Sequence, residues 1–177
     1  VVYSLFTVVD RLLIGYYRTP AEMAVFVLAT SVGGIALLLK VWFARIFDPY
    51  LVRWVASGQP ETYVPKLQNS LDLIALVMTL LTLLAAFWSG HLFALLYPAA
   101  YERSAEIVPL IVLAGAISSL SLILVASPLI ARRTFFHLPV YSLGLIVNSI
   151  VGFALIPRIG VSGAVWGTLL GQAVIML

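Results

Sequence analysis

The sequence contains no cysteine. Thiolate zinc sites, disulfide frameworks and cysteine nucleophiles are therefore excluded. Charge is also scarce: Asp, Glu, Lys and Arg make up 10% of the 177 residues, against about 25% in a soluble domain. Histidine occurs only as His91 and His137. Neither has a second His or a carboxylate at ligand spacing, so no metal site is expected. No run of Lys or Arg exceeds the pair Arg132–Arg133, and this leaves nucleic acid without an electrostatic footprint despite a pI near 9.4. There is no P-loop, no Ser/His/Asp order and no pair of catalytic carboxylates. Glu102 and Glu106, the nearest acidic pair, stand at a candidate helix start and complement its dipole. The expectation is a protein without a cofactor that is not an enzyme.

What is present is apolar surface. Hydrophobic residues make up 63% of the chain and the mean hydropathy is +1.12. A small soluble domain must still cover its outside with polar groups, so lipid is the expected solvent and partner. A membrane-crossing helix needs about 20 mostly apolar residues, and six candidate segments meet or approach that: residues 1–17, 21–47, 70–96, 106–130, 138–156 and 161–177. Arg18-Thr19-Pro20, Asp48-Pro49, Tyr97-Pro98 and Pro157-Arg158-Ile159-Gly160 punctuate them. Pro60-Glu61 can open an early, surface-lying start of the third helix. A transmembrane β-barrel would need short alternating segments, whereas Leu73 to Phe87 is continuously apolar apart from Thr79 and Thr82. The fold class expected is an all-α, polytopic transmembrane helix bundle. Both ends of the chain fall inside apolar runs, as expected of a fragment cut through helices.

Orientation follows from the distribution of Lys and Arg. Lys40, Arg45, Arg53, Lys66, Arg132 and Arg133 belong to one side; Arg18, Arg103 and Arg158 belong to the other, with Glu22, Glu102 and Glu106 among them. The richer side is expected to be cytoplasmic. Tyr16, Tyr17, Trp42, Tyr50, Trp54, Trp88, Tyr97 and Tyr101 sit near the proposed ends, as an interfacial belt does.

Three features carry candidate roles. Gly163, Gly167 and Gly171 recur every four residues and so share one helix face; such a stripe lets a second backbone approach closely. Asp10-Arg11 interrupts an apolar helix, and a charge there needs a partner or a water-filled cavity. The pair is either a cavity group that binds a charged substrate or coupling ion, or an interfacial ion pair. Lys40 either snorkels to the interface or lines a vestibule that attracts phosphate. Asn148, Thr79, Thr82, Ser118, Ser119 and Ser121 can hydrogen-bond between helices.

Several blocks together resemble the C-terminal half of bacterial polysaccharide (O-antigen) flippases. They are Val9-Asp10-Arg11-Leu12-Leu13-Ile14-Gly15 with Met23-Ala24-Val25-Phe26, then Phe47-Asp48-Pro49-Tyr50, then Leu95-Leu96-Tyr97-Pro98-Ala99-Ala100-Tyr101 with Val108-Pro109-Leu110, and finally Val147-Asn148 with Leu155-Ile156-Pro157-Arg158-Ile159-Gly160-Val161-Ser162-Gly163-Ala164. Their order and spacing span nearly the whole chain. The family belongs to the multidrug/oligosaccharidyl-lipid/polysaccharide exporter superfamily. The resemblance implies a transporter of two six-helix lobes, of which residues 1–177 form the second, its N-terminal lobe lying elsewhere in the same chain. It implies a bacterial cytoplasmic (inner) membrane and a lipid-linked oligosaccharide substrate on an isoprenoid pyrophosphate. The lobes would rock to give alternating access, with Arg11, Asp10 and Lys40 as cavity candidates. A drug/cation antiporter and a lipid II flippase are the alternatives within the superfamily.

Overall fold

The computed structural model describes residues 2–56, 60–126 and 137–176. Seven α-helices and one turn of 3-10 helix account for these residues, with no strand among them. The helices are α1 (Val2–Tyr17), α2 (Pro20–Gly33), α3 (Ile35–Ala56), α4 (Pro60–Leu96), α5 (Glu102–Ala126), α6 (His137–Ile159) and α7 (Val161–Met176); the 3-10 turn is Ala99–Tyr101. The Arg132–Arg133 loop, the end of the fourth segment and the Lys40 side chain lie outside what is described.

Two boundaries depart from the sequence expectation and one early start agrees with it. The segment 21–47 is divided at Gly34, where the Gly33-Gly34 pair interrupts the ladder between α2 and α3. A helix of 14 residues rises about 21 Å, short of the roughly 30 Å of a hydrocarbon core, so α2 needs α3 to continue it. The third segment starts early, at Pro60 with Glu61 in its first turn, as the Pro60-Glu61 pair leads one to expect; a proline at the first helical position loses no hydrogen bond there. Finally, α6 runs through Pro157 to Ile159, and only Gly160 breaks the chain, at φ 68°. Glycine adopts that left-handed conformation without steric cost.

The bundle is apolar outside as well as inside. On α4, Leu73, Leu76, Leu80, Leu83 and Phe87 are exposed at helical spacing while Ile74 and Met78 are buried. On α6, Leu143, Ile146, Ile150 and Phe153 form a second exposed stripe. Stripes of this extent on a water-soluble surface would drive association; facing acyl chains they cost nothing. Among the described residues three helices are long and apolar enough to cross a membrane, within Val64–Leu96, Ala99–Ser121 and Pro139–Ile159. The chain is thus a membrane protein of helices. The middle span, on α5, is 67% buried, against 17% and 22% for the other two. Accordingly α5 packs against α2, α3, α4 and α7, while α6 packs against α7 and α1.

Turns fix the helix order at one end. Thr19 caps α2, its hydroxyl accepting from Glu22 N at 3.4 Å, the start of a Thr-x-x-Glu pattern. Arg18, just before it, donates to Ile156 O at 2.7 and 2.9 Å and to Pro157 O at 3.0 Å. The last carbonyls of a helix have no partner within it, and a guanidinium there also meets the negative end of the dipole. Arg18 thereby ties the α1–α2 turn to the end of α6.

Candidate functional site

Glycine spacing builds the site. Gly144, Asn148 and Gly152 recur every four residues on α6, and Gly163, Gly167 and Gly171 do so on α7. The two stripes face each other at backbone contact. A Cβ added at Gly167 would lie 2.9 Å from Asn148 O; one at Gly171 would lie 2.6 Å from Gly144 O; one at Gly163 would lie 2.6 Å from the Leu155 carbonyl carbon. Real Cβ atoms do not sit that close, so these positions require glycine for packing. The approach puts Thr168, the residue after Gly167, beside Asn148.

Helix α1 closes the third side. Phe6, Asp10 and Ile14 share one face at four-residue spacing, and all three are at most 1% exposed. Phe6 rests on Gly171, whose added Cβ would come 2.5 Å from the ring. Leu13 meets Gly152, and Tyr17 packs edge-on against Phe153 with centroids 5.5 Å apart. This register carries the Asp10 carboxylate to the α6–α7 seam. Thr168 Oγ1 donates to Asp10 Oδ2 at 2.6 Å. Asn148 Nδ2 donates to Asp10 Oδ1 at 3.1 Å and to Thr168 Oγ1 at 3.3 Å. Asn148 Oδ1 is buried without a hydrogen-bond partner among the described residues.

No cation reaches Asp10 among the described residues. An ionised carboxylate at membrane depth costs a few kcal/mol even by the lowest scales, and two neutral donors offset part of that. A proton or a small cation on the carboxylate would offset the rest. A carboxamide's O and N are assigned from its bonding. Turning the Asn148 amide over would bring Oδ1 to Asp10 and Thr168, gathering three kinds of oxygen around one point. Hard monovalent cations prefer such oxygen sets, as does a shared proton. No group of three His, Cys, Asp or Glu gathers among the described residues, so a transition-metal centre has no ligand set there.

The structure separates the other site candidates. Arg11 is exposed, on the α1 face turned away from Asp10, and the two do not pair. Lys40 belongs to α3, its side chain outside the described part. Asn148 bonds across helices. Ser119, Ser121 and Thr82 do not: their hydroxyls donate to carbonyls four residues back, Gly115, Ile117 and Met78, a bond that competes locally with any partner on another helix. Ser104, which carried no expectation, donates from α5 to Val25 O on α2 at 3.0 Å. Sequence reading also passes over Thr168, Gly144 and Gly152. The Gly144-Asn148-Gly152 spacing was a legible signal; Thr168 had none beyond adjacency to the stripe.

A cavity of about 190 Å³ opens at the end of the bundle where α2, α5 and α7 begin. Glu22, Arg103, Glu106, Gly160 and Ser162 line it. No protein-family model matches the chain, and no curated protein or solved structure does either.

Proposed function

We propose that the chain is one lobe of a transporter that flips isoprenoid-pyrophosphate-linked oligosaccharide units across a bacterial cytoplasmic membrane, for surface polysaccharide synthesis. The observation that carries the transport reading is the Asp10–Asn148–Thr168 cluster: a buried carboxylate with no countercharge among the described residues, at the junction of three helices. Intramembrane ionisable groups of this kind serve ion or proton movement more often than packing. Asp10 takes up a proton or a monovalent cation, and the change in its charge alters how tightly α1 is held to the α6–α7 seam. That is a two-state element of the sort an alternating-access cycle needs. Counting α2 and α3 as one interrupted segment gives six helical segments, the number a lobe of this kind would need. The lipid-linked substrate comes from the resemblance of the motif blocks, and exposed Arg11 supplies a cation suited to a pyrophosphate.

A drug/cation antiporter or a lipid II flippase is the second reading, and the same buried carboxylate favours it equally. Complementation separates them. The full-length parent gene, and its Asp10→Asn variant, are expressed in a strain lacking its polysaccharide flippase, and surface polymer is scored. The parent is expected to restore polymer; Asp10→Asn is expected to reach the membrane in equal amount and restore little. Failure of the parent itself, with protein in the membrane, turns the choice to the drug-efflux and lipid II assays. A fully active Asp10→Asn variant removes the cluster from the mechanism.

A further inference from the structure

A cleft of about 10 Å³ leads from the buried cluster toward α2. Asp10 and Thr168 form its buried floor; Thr7 and Thr30, both half-buried, stand nearer the surface, with Phe26 and Ile111 as apolar walls. Elsewhere Asp10 is enclosed. Phe6 and Ile14 are fully buried one turn to either side of it on α1, and the α6–α7 glycine contact closes the seam behind. The cleft is a polar path from the cluster outward, lined by Thr7, Thr30 and Thr168.

Its size and chemistry select what passes. About 10–15 Å³ of such space holds a single water, too little for a hydrated metal ion. The Thr30 hydroxyl donates to Phe26 O at 2.9 Å and Val27 O at 3.0 Å. Its proton is thus committed to the helix, and it offers the cleft an acceptor oxygen. An acceptor at the mouth and a carboxylate at the floor suit a water that donates to both. No other titratable side chain lines the cleft from α2, α5 or α7, and from α6 the carboxylate meets the neutral Asn148.

We infer that this cleft is the route by which a proton reaches Asp10, and that Thr30 is the positioning residue that holds the water carrying it. The inference rests on the reading of Asp10 as a group that takes up a cation. In the step itself a hydronium in the cleft gives its proton to a carboxylate oxygen of Asp10. One O–H bond breaks, one forms, and neutral water remains.

The test is hydrogen–deuterium exchange of the Asp10 carboxyl, followed by its infrared carbonyl band, in the full-length protein reconstituted in sodium-free liposomes. The band is assigned by its loss in Asp10→Asn. Thr30→Val, which keeps the shape and removes the acceptor, is expected to slow exchange about tenfold, the effect of losing one ordinary hydrogen bond. Thr30→Ser is expected to restore the rate. Ser149→Ala is the matched control: its hydroxyl also donates to its own helix, to Leu145 O at 2.8 Å, but does not line the cleft, so exchange should be unchanged. A band present in the parent with Thr30→Val exchanging at the parent rate overturns the route and leaves the Asp10 reading standing. A slowing of equal size in Ser149→Ala overturns it too. No band lost in Asp10→Asn shows that Asp10 carries no proton; the route falls, and the reading of Asp10 is left with a monovalent metal cation alone.

Discussion

Successive residues on an α-helix diverge by about 100°, and that rotation separates Asp10 from Arg11. Asp10 turns to the seam and is 1% exposed; Arg11 turns outward, into an apolar face shared with Val8 and Leu12. It lies about 10 Å along the helix from Arg18, too deep to leave bare against lipid without a cost of a few kcal/mol. The proposed substrate pyrophosphate would supply a polar partner for it. Arg11→Ala is expected to cut transport at least tenfold while insertion and yield stay unchanged, and Arg11→Lys to retain part of the activity, since an ammonium keeps the charge and loses the bidentate geometry. Full transport by Arg11→Ala, measured beside a membrane-level blot, removes it from substrate binding. The Asp10-Arg11 interruption was visible in the sequence. Its division of labour was not, because the residue that receives Asp10, Thr168, lies 158 positions away and is an unremarkable hydroxyl until α7 is placed.

Elements meet here through what glycine lacks. The α6–α7 seam places Gly167 within 2.9 Å of the Asn148 carbonyl once a Cβ is built, so Gly167→Ala must push the helices apart or shift the Asn148 backbone. Overpacking of that kind costs about 1–3 kcal/mol, and it also pulls Asn148 and Thr168 out of register with Asp10. Gly90→Ala on α4 is the control, with nothing within 4 Å, and alanine is the better helix former by about 1 kcal/mol. Detergent-solubilised thermal melts should therefore show Gly167→Ala lowered and Gly90→Ala unchanged or raised; equal melting of the two would mean the seam is looser than described. The period-four glycines of α7 were readable from spacing alone, as were the apolar helices, because lipid demands long uninterrupted runs. The break at Gly34 was not, since Val32-Gly33-Gly34-Ile35 leaves the hydropathy unbroken. Nor was the continuation of α6 past Pro157, where Ile156 O accepts both from Gly160 N and from Arg18, 138 residues away.

At the scale of the whole molecule, three turns converge: those before Pro20, after Leu96 and at Gly160. Residues from all three line the cavity that holds Glu22, Ala100, Arg103 and Ser162. At this end Arg18, Arg103 and Arg158 balance Glu22, Glu102 and Glu106, whereas the opposite end sets Lys40, Arg45, Arg53, Lys66, Arg132 and Arg133 against only Asp48, Glu61 and Asp72. Translocation leaves the basic side in the cytoplasm, so the cavity end should face outward. The absence of cysteine from these 177 residues makes this directly measurable. In a full-length protein freed of other thiols, Ala100→Cys and Ser162→Cys should react with a membrane-impermeant maleimide on intact cells. Glu61→Cys, exposed at the start of α4, should react only after permeabilisation. The reverse pattern would invert the bundle and place the turns tied by Arg18 in the cytoplasm. It would also oppose the charge asymmetry, so some stronger determinant elsewhere in the full-length chain would have to set the topology. Labelling of all three on intact cells would mean that Glu61 and the turns share a side, which a single crossing by α4 forbids.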